Sequence, residues 1–130
     1  MKEIYKSGDT KEFKVIVEPK DTASFDSGTV HPIYSTFALG RDAEWCCRLF
    51  VLDMKEDDEE GIGTFLSIEH KAPTLIGSTV HFTATVLNMK GNDLICTWEA
   101  VVNGSVIAKG AQGQKIMKKD QLEEIFKLIS

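Results

Sequence analysis

Glu44, His70 and Thr36 are the residues of this chain whose types suit acid–base or nucleophilic chemistry, and each also has a plain structural reading. A carboxylate can attack a carbonyl or take a proton from water; an imidazole takes and returns a proton near neutral pH; a hydroxyl orients either. Glu44 precedes the most apolar part of a helical stretch, but Arg41 and Arg48 lie three and four residues away, the spacing of an ordinary helix ion pair. Strict alternation places His70 on one strand face with Ile62, Thr64, Leu66 and Ile68, as a core histidine would be. Thr36 is first of all a helix N-cap candidate. Taken singly, none of the three is specific. Cys46 and Cys47 fall where a thiolate is poorly stabilised and read as core. His31 and His81 have no partner at ligand spacing, so no metal is expected. The chain carries no phosphate loop, dinucleotide fingerprint or nucleophile elbow.

The elements that must position these residues follow from periodicity. Residues 12–18 alternate as a strand, and 19–34, with Pro19, Gly28 and Pro32, read as loop. Residues 35–54 form a helix capped by Ser35 or Thr36. Its second half is apolar almost all round, which calls for burial. The acidic run at 56–60 reads as a solvated loop. Strands are expected at 62–71, 78–90, 94–102 and 105–118. Asn103-Gly104 supplies the positive φ angles of a type I′ hairpin turn, and Gly110 and Gly113 mark bulges or close backbone approach. Residues 119–129 form a short helix with Leu122, Ile125, Phe126 and Ile129 on one side. A curved antiparallel sheet wrapped around one long central helix satisfies every apolar stripe. That α+β arrangement is the hot-dog fold, a single domain over 1–130.

Composition narrows the function. The 130 residues are 42% hydrophobic and 27% charged, an ordinary globular balance. Fifteen basic against twenty acidic residues leave a net charge of −5 with no basic face, so no nucleic-acid partner is expected. The longest strictly apolar run, residues 49–52, is too short to span a bilayer, and no apolar leader segment is visible. Three cysteines, two of them adjacent, do not make a disulfide framework; a reduced, cytoplasmic setting is expected.

Two segments together carry a family resemblance. Residues 35–46, Ser-Thr-Phe-Ala-Leu-Gly-Arg-Asp-Ala-Glu-Trp-Cys, resemble the helix motif of the fluoroacetyl-CoA thioesterase group of hot-dog enzymes, in which a Thr is followed eight residues later by a Glu. Residues 61–74 resemble the group's second motif, a Gly-Thr strand ending in His and then Ala-Pro-Thr. The separations from Thr36 to Glu44 and from Glu44 to His70, 8 and 26 residues, agree as well. Gly77 and Gly110 match two further glycines. The resemblance extends over about residues 10–120. It implies catalytic roles for Thr36, Glu44 and His70, and substrate-binding roles for Gly63, Thr64 and Gln114. It also implies an acyl-CoA thioesterase acting on a short or small acyl group, with coenzyme A present only as part of the substrate and no other cofactor. The group often carries an Arg where this chain has Gln114. The fluoroacetate-specific member has an aromatic lid residue where this chain has Val30, so fluorine selectivity does not carry over.

Eight residues of ideal helix span about 12 Å, so Thr36 and Glu44 cannot touch one atom if both are helical. Either Thr36 precedes the helix, or the site combines residues of two protomers. The second option suits the homodimers, or dimers of dimers, that hot-dog proteins resemble one another in forming. A non-catalytic acyl-thioester binding protein on the same scaffold is the alternative. A hydratase ranks behind both, because its Asp-x-Asn-x-x-His motif is absent.

Overall fold

The computed structural model describes residues 1–25 and 28–130, with side chains described outside 24–30. In chain order the elements are β1 (Thr10–Ile16), a single 3-10 turn (Pro19–Asp21), β2 (Thr22–Phe25), β3 (Gly28–Tyr34), α1 (Thr36–Met54), β4 (Glu59–His70), β5 (Thr79–Lys90), β6 (Asp93–Val102), β7 (Ser105–Lys118) and α2 (Lys119–Ile129). Five strands make one antiparallel sheet in the order β1-β5-β6-β7-β4, and β2 pairs with β3 apart from it.

The core lies between the sheet and α1. Alternate residues of β5 (Val80, Phe82, Ala84, Val86) and β6 (Leu94, Cys96, Trp98, Ala100) are buried against Leu39, Cys46, Cys47, Phe50 and Met54 of the helix. The helix starts where its cap dictates. Ser35 is the N-cap, its hydroxyl accepting from the Ala38 backbone N–H at 3.0 Å, and Thr36 is the first helical residue. Asn103 and Gly104, with φ of 49° and 81°, turn β6 into β7 as a type I′ hairpin requires.

Several expectations need correction. Apart from residues 26 and 27, which lie outside the described residues, the segment 19–34 is not a loop: it holds the 3-10 turn and the paired strands β2 and β3. Pro32 is tolerated there because it falls in a register shift, between the pairs Ala23–His31 and Thr22–Tyr34, where the ladder asks no N–H of it. Glu59 and Glu60 are not solvated loop residues but open β4, and the Glu59 carboxylate is buried, accepting the Glu56 N–H at 2.9 Å. Alternation along β4 is broken by a bulge between Gly63 and Phe65. Ile62 therefore pairs with Lys115 on the outer face, while Gly63, Leu66, Ile68 and His70 face the helix side. Finally, α1 is not buried all round by its own sheet. Phe37 is 86% exposed, and Trp45 and Leu52 are also exposed.

β4 is an edge strand, paired only with β7 and exposed through residues 62–67, including Ile62, Phe65 and Leu66. An apolar open edge is a template for another strand. Its inner pairing is tight at Gly110, where an added Cβ would stand 1.9 Å from the Ser67 carbonyl oxygen. That neighbour is backbone and cannot give. Gly110→Ala is expected to destabilise the fold by about 2–3 kcal/mol, read as a lower urea midpoint with an unchanged m-value.

Candidate active site

Two polar clusters lie at opposite ends of the contact between α1 and β4. The first joins the first residue of the helix to the last residue of the strand: Thr36 Oγ1 and His70 Nδ1 are 2.9 Å apart. The other ring nitrogen, His70 Nε2, is buried and has no hydrogen-bond partner among the described residues. His70 lines a cleft of about 360 Å³ with Ala23, His31, Tyr34, Thr36 and Lys71. A larger hollow of about 680 Å³ lies on the outer face of the sheet among Thr83, Thr85, Thr97 and Glu99 and contains none of these groups.

The chain around Thr36 is tied down from several directions. The Ser35 N–H donates to the Asp21 carbonyl and the Tyr34 N–H to the Thr74 carbonyl, both at 2.8 Å. Behind them sits an ionic group in which Asp21, Asp42 and Tyr34 are buried and Arg41 is half exposed. Arg41 donates to Asp21 at 2.9 Å and to Asp42 at 3.1 Å, and the Tyr34 hydroxyl donates to Asp42. Burial pushes the Tyr34 hydroxyl pKa up, and the Asp42 carboxylate adds to it. Burial alone would raise the Asp21 pKa. The Glu18 N–H and the Arg41 guanidinium outweigh it and hold the carboxyl below its ordinary value.

The second cluster is Glu44, Gly63 and Gln112. Gln112 Nε2 donates to Glu44 Oε1 at 3.3 Å. A Cβ on Gly63 would lie 2.5 Å from the same oxygen, so only glycine lets the carboxylate approach the strand this closely. The ion-pair reading of Glu44 is not realised. Arg41 is held by the two aspartates, and Arg48 binds Glu60 at 2.7 Å and the Gly61 carbonyl at 3.3 Å.

The remaining candidates fall as follows. The Thr64 hydroxyl, at the bulge, lies beside Gly113 on the outer face, away from Glu44. Gln114 is buried and donates to Gln112 Oε1 at 3.1 Å. The Val30 side chain lies outside the described residues. Cys46 and Cys47 are core, as expected. Burial pushes Cys46 up to about 11, and Cys47 is raised by its hydrogen bond with Cys96 and by burial. His31 and His81 are exposed. Gln112 and the Tyr34–Asp42–Arg41–Asp21 group were not singled out from sequence. Gln112 was legible in principle, since it shares with Gln114 the inward face of an otherwise apolar strand.

Thr36 and Glu44 are both helical, so about 12 Å of helix separates them and the two clusters do not meet within one chain.

Residues 17–120 match the family described as fluoroacetyl-CoA-specific thioesterase. The chain belongs to this thioesterase family. A thioesterase superfamily member from Thermus thermophilus is similar at 31% identity, with a TM-score of 0.90 over 95% of this chain and 92% of that one. The fluoroacetyl-CoA thioesterase FlK is similar at 20% identity, TM-score 0.87, over 97% and 98% of the two chains. A hot-dog-like protein from Thermanaerovibrio acidaminovorans is similar at 20% identity, TM-score 0.88, over 98% and 96%. No curated protein sequence matches. The fold is the hot-dog fold, and the protein is an acyl-CoA thioesterase of that family.

Two outcomes follow for the thioesterase. A carboxyl whose folded pKa is depressed stabilises the fold above its unfolded pKa, and that contribution is lost as pH falls through the folded value. Asp21 should therefore contribute to an acid-side loss of stability below about pH 4, and Asp21→Asn should flatten that limb in urea titrations run across pH. Gly63→Ala meets only the far end of a side chain. It should fold with stability within about 1 kcal/mol of wild type while losing about 10- to 100-fold in thioester hydrolysis, because the carboxylate is displaced.

Proposed function

We propose that the thioesterase hydrolyses small acyl-CoA thioesters at sites shared between two copies of the chain, with Glu44 supplied by one protomer and Thr36 and His70 by the other. The observation that carries this reading is the placement of two incomplete half-sites along one helix–strand contact. Midway between Thr36 and Glu44 lies Gly40, and midway between Gly63 and His70 lie Leu66 and Ser67. Gly40 itself packs on Leu66 and Ile68. A two-fold axis near this point, pairing the open edge of β4 with the same edge of a second copy, would bring each chain's Glu44 half to the partner's His70 half. The same pairing would cover Leu66 and the exposed Trp45 and Phe37.

At such a site the Glu44 carboxylate attacks the thioester carbonyl carbon or takes the proton of a water that does. The C–S bond breaks, and His70 delivers a proton to the leaving thiolate through Nε2, the nitrogen left free by its bond to Thr36. In the direct route a water then cleaves the acyl-glutamate anhydride, its proton restoring His70 as the Glu44 carboxylate is regenerated; in the other route the proton taken by Glu44 is passed on to His70. Backbone N–H groups at the start of α1 stabilise the oxyanion. The two-carbon acyl group in the family's description supports a small acyl substrate. The three unpaired cysteines support a cytoplasmic setting. Among the described residues, no helix is long and apolar enough to cross a membrane.

Glu44→Gln and His70→Ala should each reduce acetyl-CoA hydrolysis by about 100-fold or more, and Thr36→Ser should retain more activity than Thr36→Ala. Mixing unfolded Glu44→Gln and His70→Ala chains and refolding them together tests the shared site directly. Half the dimers are then mixed and one of their two sites is intact, so activity should return to about a quarter of wild type. No recovery, with mixed dimers demonstrated, would mean that each site lies within one chain. Wild-type turnover by folded Glu44→Gln would remove Glu44 from the chemistry.

A further inference from the structure

Gln112 and Gln114 project from the inner face of β7 and are 1% and 2% exposed. Two primary amides in an apolar interior need partners for every strong donor and acceptor, or their burial is unfavourable. They find them in a line. Gln114 Nε2 donates to Gln112 Oε1 at 3.1 Å, and Gln112 Nε2 donates to Glu44 Oε1 at 3.3 Å. The direction of this line is set at its end. An ionised carboxylate only accepts, so Gln112 must turn its NH2 toward Glu44 and its oxygen toward Gln114, which must then offer its own NH2. At the far end, the Gln114 oxygen and the Arg48 guanidinium flank the same point above Gly61, within 3.3 and 3.4 Å of it.

We propose that Gln112 is a positioning residue that holds the Glu44 carboxylate in its reactive orientation, with Gln114 acting only through Gln112. The proposal rests on the assignment of Glu44 to the chemistry. The geometry gives the line a specific consequence. Among the described residues Glu44 Oε2 accepts no hydrogen bond, so the amide occupies one oxygen and leaves the other to face the substrate. Gly63 removes the side chain that would otherwise stand against the occupied oxygen. The restraint is also neutral. With Arg41 and Arg48 committed to other carboxylates, Glu44 is oriented without a guanidinium clamped on it, and its negative charge stays available for attack or proton transfer. The long 3.3 Å bond suits a contact that tightens when substrate excludes water.

The experiment is a double-mutant cycle on acetyl-CoA hydrolysis using Gln112→Met and Gln114→Met, which preserve length and apolar packing but remove the amides. Gln112→Met should lower kcat by about 10- to 100-fold with KM within about threefold, the signature of lost orientation and not of lost substrate binding. Gln114→Met should lower kcat less, and its effect should vanish in the Gln112→Met background. Gln112→His, whose ring N–H can replace the donor at similar reach, should recover most of kcat. A readout independent of catalysis is the 13Cδ resonance of Glu44 in glutamate-labelled protein, assigned by its absence in Glu44→Gln. It should move in Gln112→Met and move less in Gln114→Met. Wild-type kcat in Gln112→Met, a Gln114→Met loss undiminished in the Gln112→Met background, or an unmoved resonance would overturn the proposal. A wild-type protein that hydrolyses no acyl-CoA, with the resonance shifts as expected, would overturn the catalytic assignment of Glu44 and leave the hydrogen-bonded line standing.

Discussion

The close approach of α1 to the inner face of β4 at Gly40 is the constraint on which the other features rest. A Cβ at that position would lie 2.7 Å from Ile68 Cδ1 and 3.2 Å from Leu66 Cδ2, so glycine lets the ends of these two side chains sit directly on the helix backbone. Once the two are in contact there, each end of the contact is decided. The first residue of the helix reaches the last residue of the strand, giving Thr36 and His70. Eight residues on, Glu44 reaches Gly63. A larger residue at 40 would have to push the ends of Ile68 and Leu66 aside.

The polar groups gathered at these two ends are buried at some energetic expense, and they are satisfied in different ways. At the Thr36 end the solution is ionic. Two buried aspartates share one arginine, and a tyrosine hydroxyl completes the second carboxylate. This ties the 3-10 turn, the end of β3 and the first turns of α1 into one unit, and removing a partner would strand a buried charge. At the Glu44 end the solution is neutral, two amides in series. The difference suits the two tasks: the first cluster fixes backbone, and the second, on the proposed role of Glu44, leaves a carboxylate reactive.

The open edge of β4 gives these halves their meaning. Among the described residues a single chain leaves an apolar strand edge, three exposed apolar helix residues and a buried imidazole nitrogen without a partner, each of them unfavourable alone. One symmetric pairing of that edge would relieve the strand and helix exposure together and would place the imidazole across from a carboxylate. A site shared as proposed would thus account for both the polar chemistry and the exposed apolar surface of the chain.

The order of elements from α1 onward, a helix start capped at Ser35 or Thr36, the hairpin at Asn103-Gly104 and the close approach at Gly110 were readable from the chain, because each depends on residue type and spacing over short stretches; Thr36, Glu44 and His70 became joint candidates only through the family resemblance. The β2–β3 pair was hidden by Pro19, Gly28 and Pro32, whose turn signal outweighed the strand pattern; a register shift in the pairing is what makes Pro32 acceptable. The bulge at Gly63 was hidden because alternation assumes a regular ladder, and one extra residue moves Ile62 to the other face and takes the Thr64 hydroxyl away from Glu44. The partners of Glu44 were beyond local reading altogether. Sequence spacing offered Arg41 and Arg48, but buried Asp21 and Asp42 claim the first and Glu60 the second, leaving Gln112 from a strand 68 residues away. Sequence by itself determined which groups are available for chemistry. Only the tertiary structure decided which of them meet, because a buried donor or acceptor pairs with whatever the packing of distant elements brings within hydrogen-bond reach.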